Sequence, residues 1–193
     1  MLTGSPEFIA RTRRLALHGM SRDAWKRYGP GGNWFYEVEE PGFKYNMTDI
    51  QAAMGLAQLR KLQGFQRRRR EIVAAYNMGF AHLDALETPV EQAHVEHAWH
   101  LYAMRLRPGT LRIDRDQFIR ELAVRNIGSS VHFIPVHLHP YYQQKYHYRP
   151  DQFPVAYDAY QRLVSLPLHP LLTDDDVTDV VTAVQDIVRM FTR

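Results

Sequence analysis

Phe8, Ile9, Leu15 and Ala16, with Thr12 between them, return at helical spacing near the start of the chain. Ser5 is placed to cap that helix, Pro6 suits its first position, and Glu7 meets the positive end of its dipole. Gly19 stops the run. Residues 20–47 have no such period and are rich in Gly and aromatics. Within them WFYEVEE (34–40) alternates as a strand does. Gly31-Gly32 and Pro41-Gly42 flank it, which predicts a short arm of a hairpin.

A long helical region opens at Thr48, where Thr48 and Gln51 fit a capping box. Ile50, Ala53, Met54, Ala57 and Leu59 read as one apolar stripe, and Leu62, Phe65, Ile72, Tyr76 and Phe80 as a second. Gly64 between them is the expected break into two helices.

Past residue 84 helices and strands mix. HLYAMRL (100–106) alternates as a half-buried strand. Asp114 caps a helix carrying Phe118, Ile119 and Leu122 that ends near Asn126-Ile127-Gly128. SSVHFIP (129–135) predicts another strand, and Pro135 and Pro140 break the chain after it into turns. FPVAYDAYQRLVSL (153–166) starts as a helix and runs out extended. Thr173 caps the last helix, three aspartates fill its first turn, and Val177, Val180, Val181, Val184, Ile187, Val188 and Phe191 form its inner face.

The organisation is therefore a helix-rich part, residues 1–84, and a small α+β domain, residues 85–193. The first part lacks strands to cover its helices. An amphipathic helix must bury its apolar face against something. Another chain, or further polypeptide, is expected to supply it.

Composition narrows the classes. Of the 193 residues, 45% are hydrophobic and 23% charged, an ordinary globular balance. No apolar run approaches the roughly 20 residues of a membrane span. The N-terminus lacks the apolar core of a signal peptide, so a cytoplasmic protein is the expectation. There is no Cys, which removes disulfide frameworks and thiolate metal sites. The net charge is +3, with 20 Arg against four Lys. QRRRREIV (66–73) invites a nucleic-acid reading. However, four consecutive helical residues fan out over about 300°, and Glu71 follows, so a solvated helix face is the plainer reading.

Three segments could carry chemistry. HGMSRDAWKRY (18–28) sets His18, Trp25 and Tyr28 in a loop after a helix, suited either to a ligand or to a solvated loop with one Trp anchor. GFKYNMTDIQAA (42–53) sets Lys44 and Asn46 just before a capped helix start, suited to phosphate or to an ordinary cap. SVHFIPVHLHPYY (130–142) has His132, His137 and His139, then Tyr141. No Cys or carboxylate lies beside them to complete a metal site, so hydrogen bonding to a polar substrate, or structural use, is preferred to metal ligation.

In this order these motifs resemble the C-terminal half of the DegT/DnrJ/StrS family. The resemblance rests on MLTGSPEFIARTRRLALHGMSRDAWKRY, PGFKYNMTDIQAAMGLAQLRKL, RRREIVAAYN, HLYAMRL, SVHFIPVHLHPYY and SLPLHPLLTDDDV, and GFKYNMTDIQAA is the most specific. It covers essentially the whole chain. It implies an α/β fold, the PLP-dependent transferase fold type I. Here that fold would be present only as its C-terminal α+β portion and the helices of an incomplete large domain. The implied chemistry is transamination of keto sugar nucleotides with pyridoxal phosphate and an amino donor, in amino-sugar, lipopolysaccharide or antibiotic-sugar biosynthesis. The implied assembly is a homodimer, with no nucleic acid and no membrane.

By the same resemblance, Lys44 and Asn46 would face the cofactor phosphate of a neighbouring subunit. His18, Trp25, Tyr28, His132, His137, His139 and Tyr141 would face the substrate. Family members are about twice this length, and their Schiff-base Lys precedes the point where the match begins. Lys26, Lys44, Lys61 and Lys145 all sit in other motifs. The resemblance therefore implies no catalytic residue in this chain and no activity on its own. The alternatives are a non-catalytic interaction or dimerisation protein, and part of a PLP-dependent sugar dehydratase.

Overall fold

The structure is a computed structural model that describes residues 4–20 and 36–193. Its contacts divide the chain into two compact units, Met1–Arg60 and Lys61–Arg193. This division follows contact density. The division expected at residue 84 marks where strands begin to mix with the helices, a different criterion.

Unit 1 holds helix α1 (Pro6–Leu15) and the start of α2 (Asp49–Phe80). The Ser5 hydroxyl accepts from the Phe8 N–H, Pro6 sits in the first turn, and the chain turns at His18 and Gly19 with positive φ. At α2 the capping box is reciprocal: the Thr48 N–H donates to Gln51 Oε1 at 2.9 Å and the Gln51 N–H to Thr48 Oγ1 at 3.3 Å. The expected strand 34–40 reduces, among the described residues, to one bridge between Val38 and Met20. Gly64 does not break α2, which runs for 32 residues. A lone helical Gly costs about 1 kcal/mol against Ala. Ile72, Val73, Tyr76 and Phe80, all buried, anchor the helix beyond it.

Unit 2 is an antiparallel three-stranded sheet in the order β1 (Leu86–Glu87), β2 (Tyr102–Leu106), β3 (Leu163–Leu166), with helices packed on it. Tyr102 faces Leu166 and Met104 faces Val164. The helices are the second half of α2, α3 (Arg115–Val124), α4 (Pro140–Tyr146), α5 (Pro154–Arg162) and α6 (Asp174–Phe191). Asp114 caps α3, and Asn126 follows that helix with positive φ. The Thr173 capping box and three aspartates open α6, whose Val177, Val180, Val184, Ile187 and Val188 are buried as expected, with Val181 and Phe191 partly so.

The expected strand 129–135 is not formed. Ser130 pairs with Ser165 as a single bridge, and the chain then turns through a 3-10 turn at Val136–Leu138. Pro135 has no N–H to continue a ladder. Pro140 does not make a turn; it opens α4, where its missing N–H is no loss.

The core lies entirely in unit 2. Every buried hydrophobic residue among those described falls between Ile72 and Val188. Tyr76 and Tyr102 meet edge to face at 5.0 Å, and the Tyr76 hydroxyl donates to the Pro167 carbonyl at 2.8 Å. Burial pushes both phenols' pKa values up.

Unit 1 buries no hydrophobic side chain among its described residues. Ile50 is 76% exposed, Met54 65% and Leu59 64%. These do not form the single stripe expected. At about 100° per residue, Leu59 lies half a turn from Ile50. The first half of α2 thus carries exposed apolar groups on more than one face. In folded proteins a helix apolar on several faces is normally covered.

Candidate functional site

In unit 1 the turn after α1 pairs with the segment that leads into α2. The His18 N–H donates to the Phe43 carbonyl at 2.8 Å, Phe43 to Leu15 at 2.7 Å, and Tyr45 to Ala16 at 2.8 Å, so Leu17 and Lys44 stand opposite each other. This brings the backbone of His18 beside that of Lys44. Two glycines permit it. A Cβ on Gly19 would lie 1.7 Å from the Glu40 carbonyl oxygen, and one on Gly42 would lie 2.0 Å from the Gly19 nitrogen. Gly19 also has φ +69°.

Along the extended segment side chains alternate. The Phe43 and Tyr45 rings stack at 5.1 Å, which leaves Lys44 and Asn46 for the other side. Lys44 is exposed, and Asn46 Oδ1 is buried without a hydrogen-bond partner. The pairing is fastened by charge. Arg14 Nε meets Glu40 Oε1 at 2.7 Å, its terminal nitrogen meets Glu39 at 3.0 Å, and Arg11 reaches Glu40 at 3.6 Å. The Glu40 hydrogen bond leads the causes that raise the Arg14 pKa above its ordinary value. Trp25 and Tyr28 lie outside the described residues.

In unit 2 the remaining candidates share one stretch of chain. His132 is half-buried against the Phe133 ring, with Nδ1 buried and unpartnered. His137 is buried, stacks on Phe153 at 4.6 Å, and leaves Nε2 unpartnered. His139 is exposed at the start of α4, and its carbonyl accepts from the Tyr142 and Gln143 N–H groups. Tyr141 is exposed, and its hydroxyl accepts from Lys145 Nζ at 3.1 Å. Ser129 Oγ and Ser165 Oγ, on either side of the Ser130–Ser165 bridge, are also buried without partners.

Four of the seven such atoms among the described residues therefore sit on this segment and the strand beside it. A buried polar atom costs about 1–3 kcal/mol unless something meets it. Hydroxyls and imidazole nitrogens together suit a polar, hydrogen-bonding group. No cluster of three or more His, Asp or Glu side chains suited to a metal occurs among the described residues.

Sequence reasoning missed Ser129 and Ser165 here, and Arg14, Glu39 and Glu40 in unit 1. Arg14 and Glu40 are 26 residues apart with no shared period, so no local pattern joins them.

A three-stranded antiparallel sheet flanked by helices, preceded by helices without a core, has close counterparts among solved structures. The aminotransferase TlmJ of Streptoalloteichus hindustanus superposes with a TM-score of 0.77 at 31% identity, over 97% of this chain and 46% of that one. The PLP form of a Streptococcus pneumoniae protein named as a candidate sugar aminotransferase gives 0.81 at 30% identity, over 97% and 45%. The fold is thus that of part of a PLP-dependent aminotransferase. The profile of the DegT/DnrJ/EryC1/StrS aminotransferase family matches residues 1–185, and the chain belongs to that family.

It is 49% identical over 191 residues to the spore coat polysaccharide biosynthesis protein SpsC of Bacillus subtilis, covering 98% of this chain and 49% of that protein. It is 51% identical over 186 residues to an uncharacterized Methanocaldococcus jannaschii protein, covering 96% and 48%. The chain spans about half the length of these curated relatives. Among the described residues no helix is long and apolar enough to cross a membrane.

Proposed function

We propose that these 193 residues are the C-terminal half of a pyridoxal-phosphate-dependent aminotransferase acting on keto sugar nucleotides. In this reading residues 1–84 belong with a large domain whose remainder is absent here, and residues 85–193 form the small domain. One observation carries it: unit 1 buries no hydrophobic side chain among its described residues, while Ile50, Met54 and Leu59 stand exposed on α2. Such a unit needs a partner surface, and the relatives are about twice as long as this chain. A second copy of the chain would cover part of the same surface, in keeping with a homodimer.

Pyridoxal phosphate, when bound, is the electron sink for moving an amine from donor to sugar. The described residues fit its phosphate end. Lys44 offers a cation with no ion pair among the described residues, and the Asn46 amide N–H group can donate to a phosphate oxygen, while its buried, unpartnered Oδ1 is an acceptor that calls for a donor instead. The work left to unit 2 is orientation of a polar substrate by His132 and His137, with Tyr141 and His139 at its exposed rim. His18 stands beside the phosphate-facing segment. No Lys in the chain matches the Schiff-base position, so the chain alone transfers no amine.

The test is to add pyridoxal phosphate to the purified chain, reduce with borohydride and map peptides, alongside an assay with glutamate and a keto sugar nucleotide. The expected result is no turnover and no stoichiometric adduct at Lys26, Lys44, Lys61 or Lys145. A single fully modified lysine with turnover refutes the reading.

A further inference from the structure

Resting on the phosphate reading of Lys44 and Asn46, we propose that Arg14 is the positioning residue for that pair. Its contacts tie together both chains of the ladder on which Lys44 stands. Its main-chain carbonyl accepts from the Leu17 N–H at 3.2 Å and the Gly19 N–H at 3.0 Å, which shapes the turn after α1. Its guanidinium holds Glu40 at 2.7 Å and Glu39 at 3.0 Å on the facing chain. The Glu39 N–H returns a hydrogen bond to the Gly19 carbonyl at 2.9 Å.

Among its described residues unit 1 has no hydrophobic core to set the distance between these chains. The main-chain ladder and the two close glycine contacts set it, and the fork of Arg14 braces the end at Glu39 and Glu40. Two side chains grip one phosphate only if their spacing is fixed to about half an ångström. Arg14 suits this task better than Lys would, because a planar fork engages two carboxylates at once and an ammonium acts as a point charge.

The experiment follows amide chemical shifts of the full chain during titration with pyridoxamine 5′-phosphate, which forms no Schiff base, and separately with inorganic phosphate. Wild type should give saturable shifts at Lys44 and Asn46, and Lys44→Ala should abolish them. Arg14→Gln and Glu40→Gln should each weaken binding by about two- to fivefold. Arg14→Lys should recover part of the loss, and the shifts of residues 6–13 should stay helical throughout. Wild-type affinity in Arg14→Gln and Glu40→Gln, with Lys44→Ala still silent, overturns the role of Arg14 and leaves the phosphate reading standing. So does loss of binding only in variants whose α1 has melted. Absence of any saturable shift in wild type overturns the phosphate reading, and the role of Arg14 with it.

Discussion

Replacing Ile50 and Met54 by Glu tests whether the first half of α2 is a surface made for a partner. The two residues are one helical turn apart and share a face. They are 76% and 65% exposed, so most of each side chain still awaits cover. Full burial of such a side chain is worth about 1.5–3 kcal/mol, which leaves about 1–2 kcal/mol each to be gained from a partner. Two carboxylates placed in that contact add a desolvation cost of several kcal/mol.

Association with the other half should therefore weaken by at least about a thousandfold, since each 1.4 kcal/mol is about tenfold. The chain's own stability should move by no more than about 0.5 kcal/mol, because an exposed face loses nothing when it becomes polar. The assay is co-expression with the N-terminal half of the Bacillus subtilis relative, followed by size-exclusion chromatography, with urea melts of the chain alone. Wild type should co-elute and the double variant should not. A double variant that still co-elutes refutes the reasoning. So does one that loses more than about 2 kcal/mol by itself, because the face was then already packed.

Two further outcomes concern unit 2. Tyr76→Phe leaves the Pro167 carbonyl without its 2.8 Å donor and should cost about 1–2 kcal/mol by urea unfolding with an unchanged slope. Asp176 has its pKa lowered, first by the Thr173 N–H and then by the Thr173 hydroxyl. A depressed carboxylate stabilises above its unfolded pKa, so this contribution is present at neutral pH and is lost as pH falls through the folded value. Helix α6 should loosen at its start in acid, read by amide exchange at residues 174–178, and Asp176→Asn should remove that step.

What the chain's pattern made legible is what local physics decides. The caps expected at Ser5, Thr48, Asp114 and Thr173 all form, Thr48 with the expected Gln51, because a cap is settled within four residues. Strand β2 comes from alternation, the inner face of α6 from helical period, and β3 only as the extended end of the 153–166 run. The failures share a cause. Segment 129–135 reads as a strand, yet it makes one bridge to the neighbouring strand, at Ser165, and Pro135 closes its far end. Strand β1 is two residues long, too short to show a period. Of the candidate residues, those in unit 2 were findable as a His-rich run. The clamp of Arg14 on Glu39 and Glu40 depends on a long-range pairing that no window contains.

The two units differ in self-sufficiency, and that difference locates the chemistry. Unit 2 closes its own core around Tyr76, Tyr102 and Val184, so its unpartnered polar atoms are not faults of packing at large. Four of the six among the described residues gather on one segment and the strand beside it, and the other two, on Gln66 and Arg69, lie on α2. Unit 1 inverts the pattern: apart from Asn46 Oδ1, its main-chain hydrogen bonds and the ion pairs of Arg14 are well made, while its described apolar side chains find no core. A segment held by main-chain bonds, ion pairs and the Phe43–Tyr45 stack keeps its shape while presenting bare helices, as the proposed assembly surface requires. On the proposed reading each unit is finished in the respect that fixes its candidate side chains and open where polypeptide or substrate would come. In that reading an active site divided in this way reports on assembly: Lys44 can meet phosphate in the chain alone, but the ring of the cofactor needs a surface that further polypeptide would supply.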